Sequence, residues 1–83
     1  MKREEIEGIV IEGIINRLGI FDQEISLNSN FKKDLNCDSL DLIELLIDVE
    51  LKFDINVPDV QALKFRTVKD VVDYLDKQKI SLK

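Results

Sequence analysis

Isoleucine, valine and leucine recur at steps of three and four through the first segment of the chain, at Ile6, Ile9, Val10, Ile14 and Leu18. Glu5, Gly8, Glu12 and Asn16 fall on the opposite side. This is the signature of an amphipathic helix over roughly residues 3–17. Gly8 and Gly13 weaken that helix by about 1 kcal/mol each relative to alanine, so packing must hold it in place. Gly19 follows the last periodic position and reads as the C-terminal cap. A second helix is predicted from Asp38 to Phe53, with Leu42, Leu45, Leu46, Val49 and Phe53 facing inward and Asp41, Glu44 and Asp48 on another face. Asp38 is a good N-cap, and Asp41 three residues later completes an acidic variant of the capping box. Both carboxylates suit the positive end of the helix dipole. Pro58 breaks the chain and opens a short third helix over Asp59–Leu63. The last helix starts at Thr67, with Asp70 as its capping partner and Val68, Val71, Val72 and Leu75 as its apolar stripe. The tail from Lys77 to Lys83 is expected to fray. No stretch alternates long enough to predict a strand, and the fold class is all-α.

Residues 20–37 keep no clean period. Asp22, Ser26, Asn28, Ser29, Asn30 and Asn36 supply turn chemistry, with Ile20, Phe21, Ile25, Leu27, Phe31 and Leu35 scattered among them. Structureless loops longer than about 12–15 residues are uncommon in compact domains unless they serve a function. The scattered apolar residues predict a loop folded back onto the core, not a linker.

Composition narrows the chemistry. The 83 residues suffice for one domain, 1–83, with a single small core. The chain has no histidine and one cysteine, which excludes a Ser-His-Asp triad, a Cys-His pair, a His/Cys zinc cage and an internal disulfide. A lone cysteine fits a reducing compartment. Ile9-Val10-Ile11 is interrupted by Glu12, so no signal peptide or membrane span fits there. With 12 basic against 17 acidic residues the net charge is −5, which argues against nucleic acid and anionic lipid and favours basic partner surfaces.

The most informative stretch is Asp34-Leu35-Asn36-Cys37-Asp38-Ser39-Leu40-Asp41. Its acidic and amide alternation suggests the opening of a calcium loop. The match fails where that loop needs glycine, here Ser39, and where it needs a bidentate glutamate, here Leu45. Ser39 is predicted just inside the second helix, where unpaired N–H groups and the dipole favour a phosphate. No histidine is present and no lysine lies in its immediate segment to activate it, so any chemistry there needs an external enzyme. On the residues alone, the plain reading is a serine suited to a helix start.

The longer run Phe31-x-x-Asp34-Leu35-x-x-Asp38-Ser39-Leu40-Asp41-x-Ile43-Glu44-Leu45 closely resembles the acyl carrier protein family. The resemblance continues through Phe53-Asp54, Val57-Pro58-Asp59, Thr67-Val68 and Val72-x-Tyr74-Leu75, covering nearly the whole chain. It implies a small four-helix bundle of three longer helices and one short one, with a long loop between the first two. It also implies that Ser39 carries 4′-phosphopantetheine, added from coenzyme A by a separate phosphopantetheinyl transferase. The arm would hold acyl groups as thioesters and present them to enzymes of fatty acid biosynthesis, with no catalysis by the chain itself. The resemblance places partner recognition on the second helix: Asp38, Asp41, Glu44 and Glu50 as acidic contacts for basic docking surfaces, and Leu40, Ile43 and Ile47 as apolar ones. A cytoplasmic monomer with no metal is implied.

The pattern departs from the family at several positions. Asn36 replaces a frequent glycine, and asparagine is the next most tolerant residue for a left-handed backbone. Cys37 stands where a small residue such as alanine is common, and Leu51 and Lys52 stand where further glutamates are common. Val60 and Leu63 make the short helix less acidic. The alternatives are a dedicated polyketide, lipid-modifying or aminoacyl/D-alanyl carrier, or an unmodified helical adaptor.

Overall fold

Four helices form where local periodicity and caps place them. In the computed structural model, which describes residues 2–20 and 25–78, these are α1 (Arg3–Leu18), α2 (Ser39–Phe53), α3 (Asp59–Ala62) and α4 (Val68–Lys77). Helix α1 packs against both α2 and α4, and α3 rests on α2. The inward stripes meet as expected: Ile6, Val10 and Ile14 of α1 join Leu45, Leu46, Val49 and Phe53 of α2 and Val68, Val71, Val72 and Leu75 of α4 in one core. Glu5, Gly8, Glu12 and Asn16 are exposed. At Gly13 an added Cβ would stand 3.7 Å from Leu45 Cδ1, an ordinary contact, so close helix packing does not demand glycine there.

The predicted ends are built from local hydrogen bonds. Gly19 closes α1 in the left-handed region at φ 68°, its N–H donating to the Ile15 carbonyl at 2.9 Å. Asp38 accepts from Asp41 N at 2.8 Å while its own N–H donates to the Asp41 carboxylate at 3.3 Å. Thr67 and Asp70 repeat the device at α4, with Asp70 N donating to Thr67 Oγ1 at 3.3 Å and Thr67 N to Asp70 Oδ2 at 3.1 Å. Losing either cap costs about 1 kcal/mol. Helix α3 ends one residue earlier than the predicted Asp59–Leu63, because Leu63 serves as its C-cap. Helix α4 runs through Lys77, the first residue of the tail expected to fray, and Gln78 is its C-cap; residues 79–83 of that tail lie outside the described residues.

The α1–α2 loop is part of the core. Ile25, Phe31, Leu35 and Cys37 are buried, whereas the expectations for Phe21 and Asp22 lie outside the described residues. The loop is also sewn to the start of α4. Ser29 O accepts from Val68 N at 3.1 Å, Leu27 O accepts from Lys69 N at 2.9 Å, and Phe31 N donates to Arg66 O at 2.9 Å. Two N–H groups that a helix start leaves unpaired are thereby satisfied. The contact includes an isolated antiparallel bridge between Asn30 and Thr67. Phe65 and Tyr74 pack edge to face nearby, with ring centroids 5.6 Å apart.

Candidate functional site at the mouth of helix α2

Two turns in series deliver Ser39. Asn30 caps the first: its side-chain oxygen accepts from Lys32 N at 3.0 Å and Lys33 N at 2.9 Å, while Asp34 Oδ2 accepts from Asn30 N at 2.7 Å. Asp34 is thus engaged in a turn. Among the described residues no group of three or more His, Cys, Asp or Glu side chains is arranged to hold a metal ion. Asn36 then reverses the chain with φ 54°, in the left-handed region its side chain tolerates. Cys37 N donates to Phe31 O at 2.7 Å, and the Cys37 side chain is buried. Burial first, then the charges of Asp41 and Asp38, pushes the Cys37 thiol up to about 11, so it is an inert packing residue at neutral pH.

Ser39 follows as the exposed first residue of α2. Asp38 has already paired the Asp41 and Leu42 N–H groups, through its carboxylate and its carbonyl at 2.8 and 3.0 Å. The Ser39 and Leu40 N–H groups have no partner among the described residues, so the positive end of the helix opens beside the hydroxyl. Ser39 also lines a cleft of about 350 Å³ whose lining includes the apolar side chains of Phe31, Leu42, Leu63 and Phe65. Lys32, Lys33 and Arg66 line the same cleft. The fold therefore gathers two lysines that the immediate segment of Ser39 lacks. Among the described residues none of them hydrogen-bonds the hydroxyl, and no nucleophile–base pair forms.

The other predicted residues separate into two groups. Leu40, Glu44 and Ile47 share the outer face of α2, with Leu40 63% and Ile47 49% exposed, and Ile43 lies half-buried beside them. Leu51, at 77%, extends that apolar stripe, and Val60 and Leu63 of the α3 region are exposed as well. Glu50 turns elsewhere: its Oε2 accepts from Val57 N at 3.0 Å and holds the α2–α3 connection. Arg17 of α1 escaped the sequence reading. Its guanidinium meets Asp48 at 2.7 Å and Glu44 at 3.4 Å, so two carboxylates of the outer face share an internal cation. The Asp48 hydrogen bond, with the charges of Asp48, Glu44 and Asp41, raises the Arg17 pKa further above its ordinary value.

An exposed serine at a bare helix mouth, beside a cleft lined by both cations and apolar side chains, has the donors and the space that a phosphate-linked arm requires. The phosphopantetheine attachment site family matches residues 9–75, which places the chain in the class of proteins that carry this prosthetic group. Within that class it belongs to the acyl carrier protein family. It is 45% identical over 78 residues to an acyl carrier protein of Exiguobacterium sibiricum, covering 94% of this chain and 99% of the relative. Those of Amoebophilus asiaticus and Rubrobacter xylanophilus are 42% and 41% identical, over 89% and 90% of this chain and 92% and 93% of their own lengths. The members are carriers, not catalysts. Among the described residues no helix is long and apolar enough to cross a membrane.

Proposed function

We propose that Ser39 Oγ is the attachment point of 4′-phosphopantetheine and that the chain shuttles acyl intermediates between enzymes of fatty acid biosynthesis. The observation that carries this reading is Ser39 itself, exposed at the first position of α2 between the two aspartates of its capping box. When bound, the arm supplies a terminal thiol that carries the acyl group as a thioester. The chain supplies position. Asp38 and Asp41 fix the helix start, and the Ser39 and Leu40 N–H groups face the place where the phosphodiester forms. Ser39 has no base of its own, so a phosphopantetheinyl transferase must take its proton. Tethering then raises the local concentration of acyl group at each docked enzyme.

Leu40, Asp41, Ile43, Glu44 and Ile47 form the recognition face in this reading, with Asp38 at its edge, and basic docking surfaces of the partners complement it. Charged pairs at such a rim chiefly set association rate and orientation. Glu50 supports the face through its bond to Val57 N. The chain works as a single-domain cytoplasmic monomer. A dedicated pathway is the second reading, favoured by exposed Leu51, Val60 and Leu63, which make the surface less acidic and more apolar. The mass of the natively attached thioester separates the two.

The test of attachment is intact mass after incubation with coenzyme A and a phosphopantetheinyl transferase. The chain is expected to gain one phosphopantetheinyl group, and Ser39→Ala none. An unchanged mass in the unsubstituted chain, with the transferase shown to be active on another carrier, refutes the reading in favour of an unmodified adaptor.

A further inference from the structure

Three cations stand together beside Ser39 in a chain whose net charge is −5. Their backbones are pinned. Lys32 N and Lys33 N both donate to Asn30 Oδ1, at 3.0 and 2.9 Å. Arg66 N donates to Asp70 Oδ2 at 2.9 Å, and Arg66 O accepts from Phe31 N at 2.9 Å. Arg3 and Arg17 are engaged by carboxylates, but among the described residues the side chains of Lys32, Lys33 and Arg66 form no ion pair. The cleft that all three line also includes Ser39. Its one carboxylate is that of Asp38, already turned to the Asp41 N–H.

We infer that Lys32, Lys33 and Arg66 form an anion seat for the phosphodiester of the arm at Ser39, drawing the unengaged arm into the cleft that Leu42 and Phe65 also line. This rests on Ser39 being the attachment point. A phosphodiester there is a monoanion one residue from the Asp38 carboxylate, and two like charges so close repel. Cations lining the same cleft offset that repulsion. Because the phosphate is tethered, even weak exposed ion pairs act at high effective concentration. The seat gives the arm a preferred direction, toward the α3–α4 side of the serine, which a bare helix mouth does not.

The experiment compares apo and loaded chain by amide NMR and ³¹P NMR, with loading verified by intact mass. In the unsubstituted protein, loading is expected to shift the amides of Lys33, Phe65 and Arg66 besides those adjoining Ser39. These remote shifts fall by about half or more near 0.5 M NaCl, where the screening length is only about 4 Å. They fall similarly in the Lys33→Gln/Arg66→Gln double variant, with a matching change in the ³¹P shift. Lys33→Arg/Arg66→Lys, which keeps both charges, retains them, and the apo spectra verify that each variant is folded. Shifts confined to residues adjoining Ser39, or equal in the unsubstituted and double-variant proteins, overturn the seat and leave attachment standing. A chain that never takes up the group overturns both.

Discussion

Asn36 offers the sharpest test of how the site is built. The chain must reverse between two buried side chains, Leu35 and Cys37, while Asn36 itself stays in solvent. It does so at φ 54°. A left-handed backbone costs an ordinary L-residue about 1–2 kcal/mol, and asparagine bears less of this than alanine. Asn36→Ala is therefore expected to lose about 1 kcal/mol. Asn36→Gly removes the strain but enlarges the unfolded ensemble by about 0.4–1 kcal/mol, which leaves it near the starting stability. An unfolding entropy of about 2.1 cal/mol/K per residue gives about 170 cal/mol/K for a chain of this length, so the two variants should melt about 6 °C apart, glycine higher. Thermal melting followed by far-UV circular dichroism reads the difference. Asn28 is the control: it too is exposed in the loop, but without a positive φ, and there alanine should melt above glycine. An Asn36→Ala chain as stable as Asn36→Gly would refute the argument that backbone conformation selects this residue.

The face of α2 and the buried thiol supply further tests. Glu44→Lys is expected to slow transfer by partner enzymes a few-fold with helicity nearly unchanged. Arg17→Gln, which unmasks Glu44 and Asp48, should accelerate association at low salt and lose that advantage at high salt; collapse of the dichroism signal in the first variant, or slower association in the second, contradicts the assignment. The Cys37 thiol holds its proton more tightly in the folded chain, at about 11, than at its ordinary 9.0. Below the lower value both states are protonated and nothing is lost; as pH rises from about 9 to 11 the unfolded chain sheds the proton first, and stability declines. Urea melts across that range should show a decline that Cys37→Ala reduces, and alkylation at pH 8 should be slow until denaturant is added; rapid alkylation of the folded chain refutes burial of the thiol.

The helices and their ends were legible because their causes are short-ranged. The stripe of α2 shows at Leu42, Leu45, Leu46, Val49 and Phe53, and its capping box spans only Asp38 to Asp41. The left-handed Asn36 was expected only through the family resemblance, from the glycine frequent at that position, and Asp54, at φ 56° on the C-cap of α2, was not expected at all. The apolar residues of the long loop marked it as packed, but not what it packs against. Its bonds from Ser29 and Leu27 to Val68 and Lys69 join positions about forty residues apart, and no local pattern announces them. The Glu50–Val57 bond and the Arg17 pairs were hidden likewise, so Glu50 was placed among the acidic partner contacts with no sign of the bond it makes to Val57 N.

Periodicity and caps act over three or four residues, so the amino-acid order alone already decides that a serine stands at a helix mouth with two aspartates around it. The charge that surrounds this serine is another matter. Arg66 reaches it only because the loop pairs with the start of α4, and Glu44 and Asp48 share a cation only because α1 packs beside α2. Such fields fall off within a Debye length of about 8 Å, and which charges come within that distance is decided by packing between distant segments.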